Sequence, residues 1–288
     1  PDPYRTRQRL RRRSQHGEII QAIRHGEYDL GILLTNSFSS AWWFWQGHVR
    51  RRIGFAKHLR RLLLTDALQM PKKGAEHEVF TYKRLLTPLG IASSETAPRL
   101  FVTQEEVEMS KELLYQRGYQ KGKLLVGINV GAAYGSAKCW PADRFKALAL
   151  QLLKQEDCYL LFFGDHTTSA LVKEITNDLP PRAMNLAGVT NVRELACLIK
   201  DCALLVTNDS GPMHIADALG CPLIALFGST DDRATGPYGQ PGAVIHKRPS
   251  CSPCFKRICP IDFRCMRQIT VEEVLTKAQA LLREKRCV

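Results

Sequence analysis

Short apolar runs, rich in Leu, Ile, Val and Phe, alternate along most of this chain with longer stretches whose apolar positions recur every three or four residues. Runs of the first kind form strands buried on both faces, and stretches of the second kind form helices with one covered side. From residue 124 the pattern predicts a strand at 124–130, a helix at 142–154, a strand at 159–163 and a helix at 167–178. A short strand at 184–187, a helix at 192–200, a strand at 203–206, a helix at 212–219 and a strand at 223–227 follow. Such a succession is the mark of a doubly wound parallel sheet.

Upstream, the pattern predicts a basic helix over 6–26, a buried strand over 28–35 and an aromatic helix beginning Ala41-Trp42-Trp43-Phe44-Trp45. Core packing is the expected use of those Trp side chains, with stacking on a sugar or contact with a membrane interface as the alternatives. A second strand at 50–55 follows a basic loop, and 76–91 reads as a helix. The turn-rich stretch around Pro88, Ser93, Ser94 and Pro98 separates two domains. Thr103 and Glu106 then form a capping box for a helix reaching to about Gly118. The expected organisation is a first domain over 1–100, a second over 101–270 and a terminal helix over 271–288.

Two α/β domains fit into 288 residues, and no apolar stretch reaches the ~20 residues of a membrane-spanning helix. The expected location is therefore the cytoplasm. Ten Cys could mean a disulfide scaffold, yet the apolar content is ample and reduced thiols are expected. The net charge of +13 is concentrated early: residues 1–91 hold seventeen Lys and Arg against seven Asp and Glu. Phosphates, nucleic acid or an anionic membrane would each suit that field. The run Arg5, Arg7, Arg9, Arg11, Arg12 and Arg13 has no nucleic-acid recognition module behind it, and a solvated helix face is the plain alternative.

The stretch 203–214, ALLVTNDSGPMH, joins a strand to a helix start. Asp209 or Ser210 can cap that helix, Gly211 allows close approach of a ligand, and Pro212 suits a first turn. The free N–H groups there form an anion site, with Asp209 and His214 near the sheet mouth. A second loop, 131–141, places small residues and Lys138 at the mouth of another strand of the same sheet. No GxGxxG follows any predicted strand, which speaks against a nicotinamide or flavin enzyme. Cys251, Cys254, Cys259 and Cys265 could form a structural zinc tetrad, although the second half lacks a CxxC knuckle; free thiols are the alternative.

The run TNDSGPMHIADALGCPLIALFGSTD, over 207–231, resembles the signature of the ADP-heptose:lipopolysaccharide heptosyltransferases, family 9 of the glycosyltransferases. The segments YDLGILLTNSFSSAW and RRRIGF resemble that family's acceptor-binding domain, and the CxPC opening of the Cys cluster is similar to its type II branch. The resemblance implies a GT-B fold, with two Rossmann-like domains facing a cleft, the first incomplete. It implies inverting transfer of heptose from ADP-L-glycero-β-D-manno-heptose to the inner core of lipopolysaccharide, with no metal or other cofactor. By carry-over Lys138 and Asp209 are the catalytic candidates, and Lys138, Asp209, Ser210, Gly211 and His214 are the donor-binding ones. The family's base is an Asp on a loop that precedes Tyr28, so the expectation is an amino-terminally truncated member that binds donor and lacks turnover. The implied partners are ADP-heptose and lipopolysaccharide at the inner face of the membrane, and not nucleic acid; a monomer is expected. A related nucleotide-sugar transferase with another acceptor remains the alternative.

Overall fold

The computed structural model of the protein describes residues 16–72 and 74–286, so the arginine run between Arg5 and Arg13 lies outside the described residues. The chain divides after Glu95 into two units, the second running from Thr96. That division lies slightly before the expected boundary at residue 100, and the terminal helix belongs to the second unit.

The first unit contains helix α1 over 16–25, strand β1 (Leu30–Leu33), helix α2 (Phe38–Gln46), β2 (Arg51–Ala56), β3 (Asp66–Gln69) and α3 (Glu78–Lys83). The three strands are parallel, in the order β1-β2-β3. β1 is shorter than the expected buried run over 28–35. It buries Gly31 and Leu33, while Leu30 is 39% exposed and Leu34 58%. Successive side chains of a strand point to opposite faces, and on the face of Leu30 and Leu34 only Ile32 packs against an apolar cluster.

Ser37 caps α2 by accepting from the Ser40 amide at 3.2 Å, and Ala41 packs with Leu33 and Leu64. The expectation of Trp in the core needs correction: Trp42 and Trp45 are exposed. With Phe38 they form a stacked stripe at i, i+4 and i+7, with ring centres 6.2 and 5.0 Å apart.

The second unit begins with α4 (Gln104–Tyr115), followed by β4 (Leu124–Asn129), α5 (Ala142–Gln155), β5 (Cys158–Phe163), α6 (Ser169–Thr176) and β6 (Ala183–Asn185). Then come α7 (Val192–Asp201), β7 (Leu204–Asn208), α8 (Gly211–Leu219), β8 (Leu223–Phe227), α9 (Asp232–Thr235), β9 (Val244–His246), α10 (Arg264–Arg267) and α11 (Val271–Arg286). All six strands are parallel, in the order β6-β5-β4-β7-β8-β9. This is the doubly wound order whose direction reverses between the first and fourth strands, here β4 and β7. One apolar cluster, including Phe145, Leu148, Val274 and Leu282, joins α5 and α11 to one face of the sheet. A second, including Leu114, Leu198, Met213 and Leu219, joins α4, α7 and α8 to the other.

The capping box at α4 is present: Glu106 N–H donates to Thr103 Oγ1 at 3.2 Å, and Thr103 N–H donates to Glu106 Oε2 at 2.8 Å. Arg193 on α7 adds a two-pronged contact to the same carboxylate at 2.8 and 2.6 Å. Hydrogen bonds from Arg193, and then from the Thr103 backbone, pull the Glu106 pKa down from 4.5 to about 2. The ionised form is thus favoured by the fold. The stabilisation is complete above the ordinary value and is lost as pH falls through that value toward 2. A carbon-13 titration should find Glu106 still ionised at about pH 3.5, where an ordinary Glu is mostly protonated. A midpoint near the ordinary value would contradict this.

Candidate functional site

The reversal between β4 and β7 brings the two motif loops of the second unit together. The carboxyl ends of both strands carry buried polar side chains: Asn129 is 4% exposed, and Thr207 and Asn208 are fully buried. Asn129 Nδ2 donates to Gly131 O at 3.1 Å, to Thr207 Oγ1 at 3.1 Å and to Ser210 Oγ at 2.9 Å. Asn208 accepts from the Trp140 amide at 2.9 Å and donates to Val130 O at 2.7 Å. Trp140, itself buried, donates its indole N–H to Ile269 O at 3.0 Å. Buried polar groups must be paired, so these bonds fix the 131–141 loop over the end of β7.

Lys138 and Asp209 meet in this frame, with Lys138 Nζ 2.5 Å from Asp209 Oδ2 and side-chain exposures of 13% and 5%. Thr230, just beyond β8, donates its hydroxyl to the same oxygen at 2.5 Å. Lys138 Nζ also lies over the Tyr134 ring, 5.0 Å from its centre. Asp209 was expected at the open mouth; instead it is buried and engaged by Lys138. The reason is electrostatic, since a carboxylate at that depth requires a cation and a hydroxyl to offset its desolvation.

The capping expectation also changes. Ser210 stands at the N-cap of α8 with extended backbone, but neither it nor Asp209 makes a side-chain cap bond. The Ser210 hydroxyl turns inward and donates to Asn208 O at 3.2 Å. The Gly211-Pro212 turn therefore starts α8 without a side-chain acceptor over its amide groups, and a Cβ at Gly211 would meet nothing within 4 Å. A helix start left in this state carries positive partial charge. His214, one turn further on, is exposed on α8.

Beside this turn lies a cavity of about 350 Å³, lined by Asn129, Gly131, Phe163, Asp165, Ser210 and Gly211, among others. That volume lies within the usual range for a small-ligand site. Asp165, just after β5, accepts from Thr167 Oγ1 at 2.7 Å and from the Thr168 amide at 3.0 Å. Hydrogen bonds from Thr167 and then Thr168, opposed by burial, hold its carboxyl below the ordinary range. Sequence reading missed Asn129, Asp165 and Thr230 as site residues. The acid just beyond a predicted strand was the available signal for Asp165; the other two had none.

All nine described cysteines are free thiols. Among the described residues, Cys251, Cys254, Cys259 and Cys265 included, no group of three or more His, Cys, Asp or Glu side chains is placed to hold a metal ion. Cys265 is buried, and burial pushes its thiol pKa up. The loop around these thiols is pinned through His246, which bonds Asp232 Oδ1 at 2.7 Å and Ser252 Oγ at 2.9 Å. The Ser252 hydroxyl donates to Gly228 O at 2.5 Å, so this Asp-His-Ser chain is a structural pin.

In the first unit, the carboxyl end of β1 carries Thr35, Asn36 and Ser37. Arg60, 1% exposed, donates from Nη1 to Thr35 O at 2.6 Å, while its Nε and Nη2 are buried without partners. Burial lowers the pKa of this guanidinium. The early acids stand elsewhere: Glu27 and Asp29 precede β1, and Asp66 begins β3 and pairs with Arg51 at 3.0 Å.

The profile of glycosyltransferase family 9 (heptosyltransferase) matches residues 16–263. The lipopolysaccharide heptosyltransferase 2 of Escherichia coli K12 is 31% identical over 236 residues, covering 79% of this chain and 68% of that protein. A lipooligosaccharide heptosyltransferase 2 of Campylobacter jejuni serotype O:2 is 34% identical over 169 residues, covering 57% of this chain and 53% of its relative. The chain thus spans about half to two thirds of the length of these two curated relatives. The solved structure of E. coli ADP-heptose lps heptosyltransferase II superposes with a TM-score of 0.79 at 28% identity, covering 94% of this chain and 82% of that one.

Proposed function

The chain belongs to glycosyltransferase family 9 and has the GT-B class of fold, two parallel-sheet α/β units, and from that premise we propose that it is a heptosyltransferase of lipopolysaccharide core synthesis. The donor is ADP-L-glycero-β-D-manno-heptose, and the transfer inverts the anomeric centre. One observation carries this reading: the buried Lys138-Asp209 pair stands beside an α8 start without a side-chain cap, next to a cavity large enough for a nucleoside.

The adenosine occupies the cavity, with Asp165 as acceptor for ribose hydroxyls. The diphosphate crosses the amide groups of Ser210 and Gly211, with His214 close to the donor. Lys138 takes the charge that grows on ADP as the glycosidic bond breaks, held at that point by Asp209. Fixed positive charge aimed at a leaving group stabilises the transition state more than the ground state. The amide frame of Asn129 and Asn208 keeps this array in place without reorganisation during the reaction. No described acid of the first unit stands directly at the carboxyl end of a strand, so none is assigned as the base that deprotonates the acceptor. A chain that binds donor without turnover, and a transfer to a different acceptor, are the competing readings.

The acceptor is the inner core of lipopolysaccharide, rich in carboxylates and phosphates. The basic first unit suits it by charge. The exposed Phe38, Trp42 and Trp45 suit a peripheral contact at the inner face of the membrane, and no described helix is long and apolar enough to cross it.

Calorimetry with ADP, followed by ADP release from ADP-heptose with an inner-core lipopolysaccharide acceptor, tests this. Saturable ADP binding is the expected result, with acceptor-dependent release as the sign that the chain also turns the donor over. Binding without release would favour the donor-binding reading, and binding to neither ADP nor ADP-heptose would overturn the assignment.

A further inference from the structure

A cation remote in sequence reaches the donor site. The loop between β9 and α10 folds back onto the 131–139 loop at several points. Ala137 N–H donates to Arg257 O at 2.9 Å and Tyr134 Oη donates to Phe255 O at 2.7 Å, while Phe255 N–H ties the same loop to Ser229 O, just beyond β8, at 2.7 Å. Gly135 permits the contact: its φ is +151°, and a Cβ there would stand 2.4 Å from Arg257 O. The Arg257 guanidinium consequently lies 5.2 Å from the centre of the Tyr134 ring, the same ring that carries Lys138 Nζ at 5.0 Å.

Both cations lie about 5 Å from one point, so they are no more than about 10 Å apart, within roughly one screening length at ordinary ionic strength. Their electrostatic circumstances differ. Lys138 is matched by Asp209. Arg257 is exposed, and among the described residues its guanidinium has the Tyr134 ring and no carboxylate as partner. A nucleoside diphosphate brings roughly three negative charges to this place, more than a neutralised Lys and a helix start can offset. Arg offers planar paired donors to phosphate oxygens while its face stays on an aromatic ring.

We propose that Arg257 is a phosphate-binding residue of the donor site, contacting the β-phosphate of the nucleotide sugar. This deepens the donor-site reading and rests on it. The Cys-bearing loop then has a definite purpose. It delivers Arg257, with Tyr134 as the platform that sets the distance between the two cations. Discrimination between diphosphate and monophosphate follows, because the cavity and the α8 start serve any adenine nucleotide whereas Arg257 acts on the outer phosphate.

Calorimetric titration of AMP and ADP into the wild-type chain, Arg257→Gln, Arg257→Lys and the neighbouring control Lys256→Gln tests the assignment. Arg257→Gln should weaken ADP about 5- to 20-fold, leave AMP within about twofold and flatten the salt dependence of ADP binding. Arg257→Lys should recover part of the loss, and Lys256→Gln should behave as wild type. Loss of AMP and ADP in equal proportion would make Arg257 a mere prop of the loop and overturn the proposal, as would unchanged ADP affinity in Arg257→Gln. If the wild-type chain itself binds neither nucleotide, the donor-site reading falls and this assignment with it. ADP binding by wild type with an unaffected Arg257→Gln overturns the Arg257 role alone.

Discussion

Lys138→Ala is expected to weaken ADP by about 1–3 kcal/mol, roughly 5- to 150-fold, and to slow heptose transfer by about 10²–10³-fold where turnover is measurable. The binding loss is that of one charge-assisted contact to phosphate. The larger loss in rate comes from timing. In the proposed mechanism charge accumulates on the departing diphosphate as the glycosidic bond breaks, and Lys138 Nζ is held in advance by the Asp209 carboxylate at 2.5 Å. Lys138→Arg should not restore activity. Its planar fork of donors presents a spread charge with different hydrogen-bond geometry from the compact ammonium that Asp209 holds. Single-turnover kinetics beside calorimetry separate the two quantities. Unchanged ADP affinity in Lys138→Ala, with the fold intact, would show that the diphosphate lies elsewhere.

Asp209→Ala should destabilise the second unit by about 3–5 kcal/mol, the cost of leaving a nearly buried charge without its partner. Asp209 is 5% exposed, and it holds both the Lys138 ammonium and the Thr230 hydroxyl. Its removal strips both groups of their acceptor at once. A double substitution, Asp209→Leu with Lys138→Met, should recover part of the stability, because it removes the unpaired charge and leaves only the Thr230 hydroxyl without its acceptor. Urea denaturation of the single and double variants measures the difference. A single-variant cost below about 1 kcal/mol would mean that Lys138 swings into water and that the pair does not organise the site.

The architecture of the second unit was written in local patterns. Each of β4, β5, β7 and β8 is a run of five or six mostly apolar residues buried on both faces, and the helices between them show regular spacing; the alternation alone therefore dictated a wound parallel sheet. The Thr103-Glu106 capping box was equally legible, since both partners are three residues apart. The loops 131–141 and 207–214 could be assigned to strand mouths for the same reason. β3 and β9 were not legible: four residues in one, three in the other, and no period to read.

What only the tertiary structure decided is which groups meet and how deep they lie. The reversal of strand order between β4 and β7 brings Asn129 to Ser210 across 81 positions of sequence, and no local preference encodes that. Depth then changed the chemistry of residues already singled out: Asp209 became the buried partner of Lys138, Ser210 turned its hydroxyl inward, and Trp42 and Trp45 came to the surface. Arg257 reaches the Tyr134 platform only because a distant loop docks through backbone bonds, which any sequence can make and composition cannot announce. The sequence thus determined the elements and the chemical groups at the strand mouths, because periodicity and turn chemistry act over a few residues. Pairing, burial and charge balance depend on contacts between remote segments, and only the folded chain settles them.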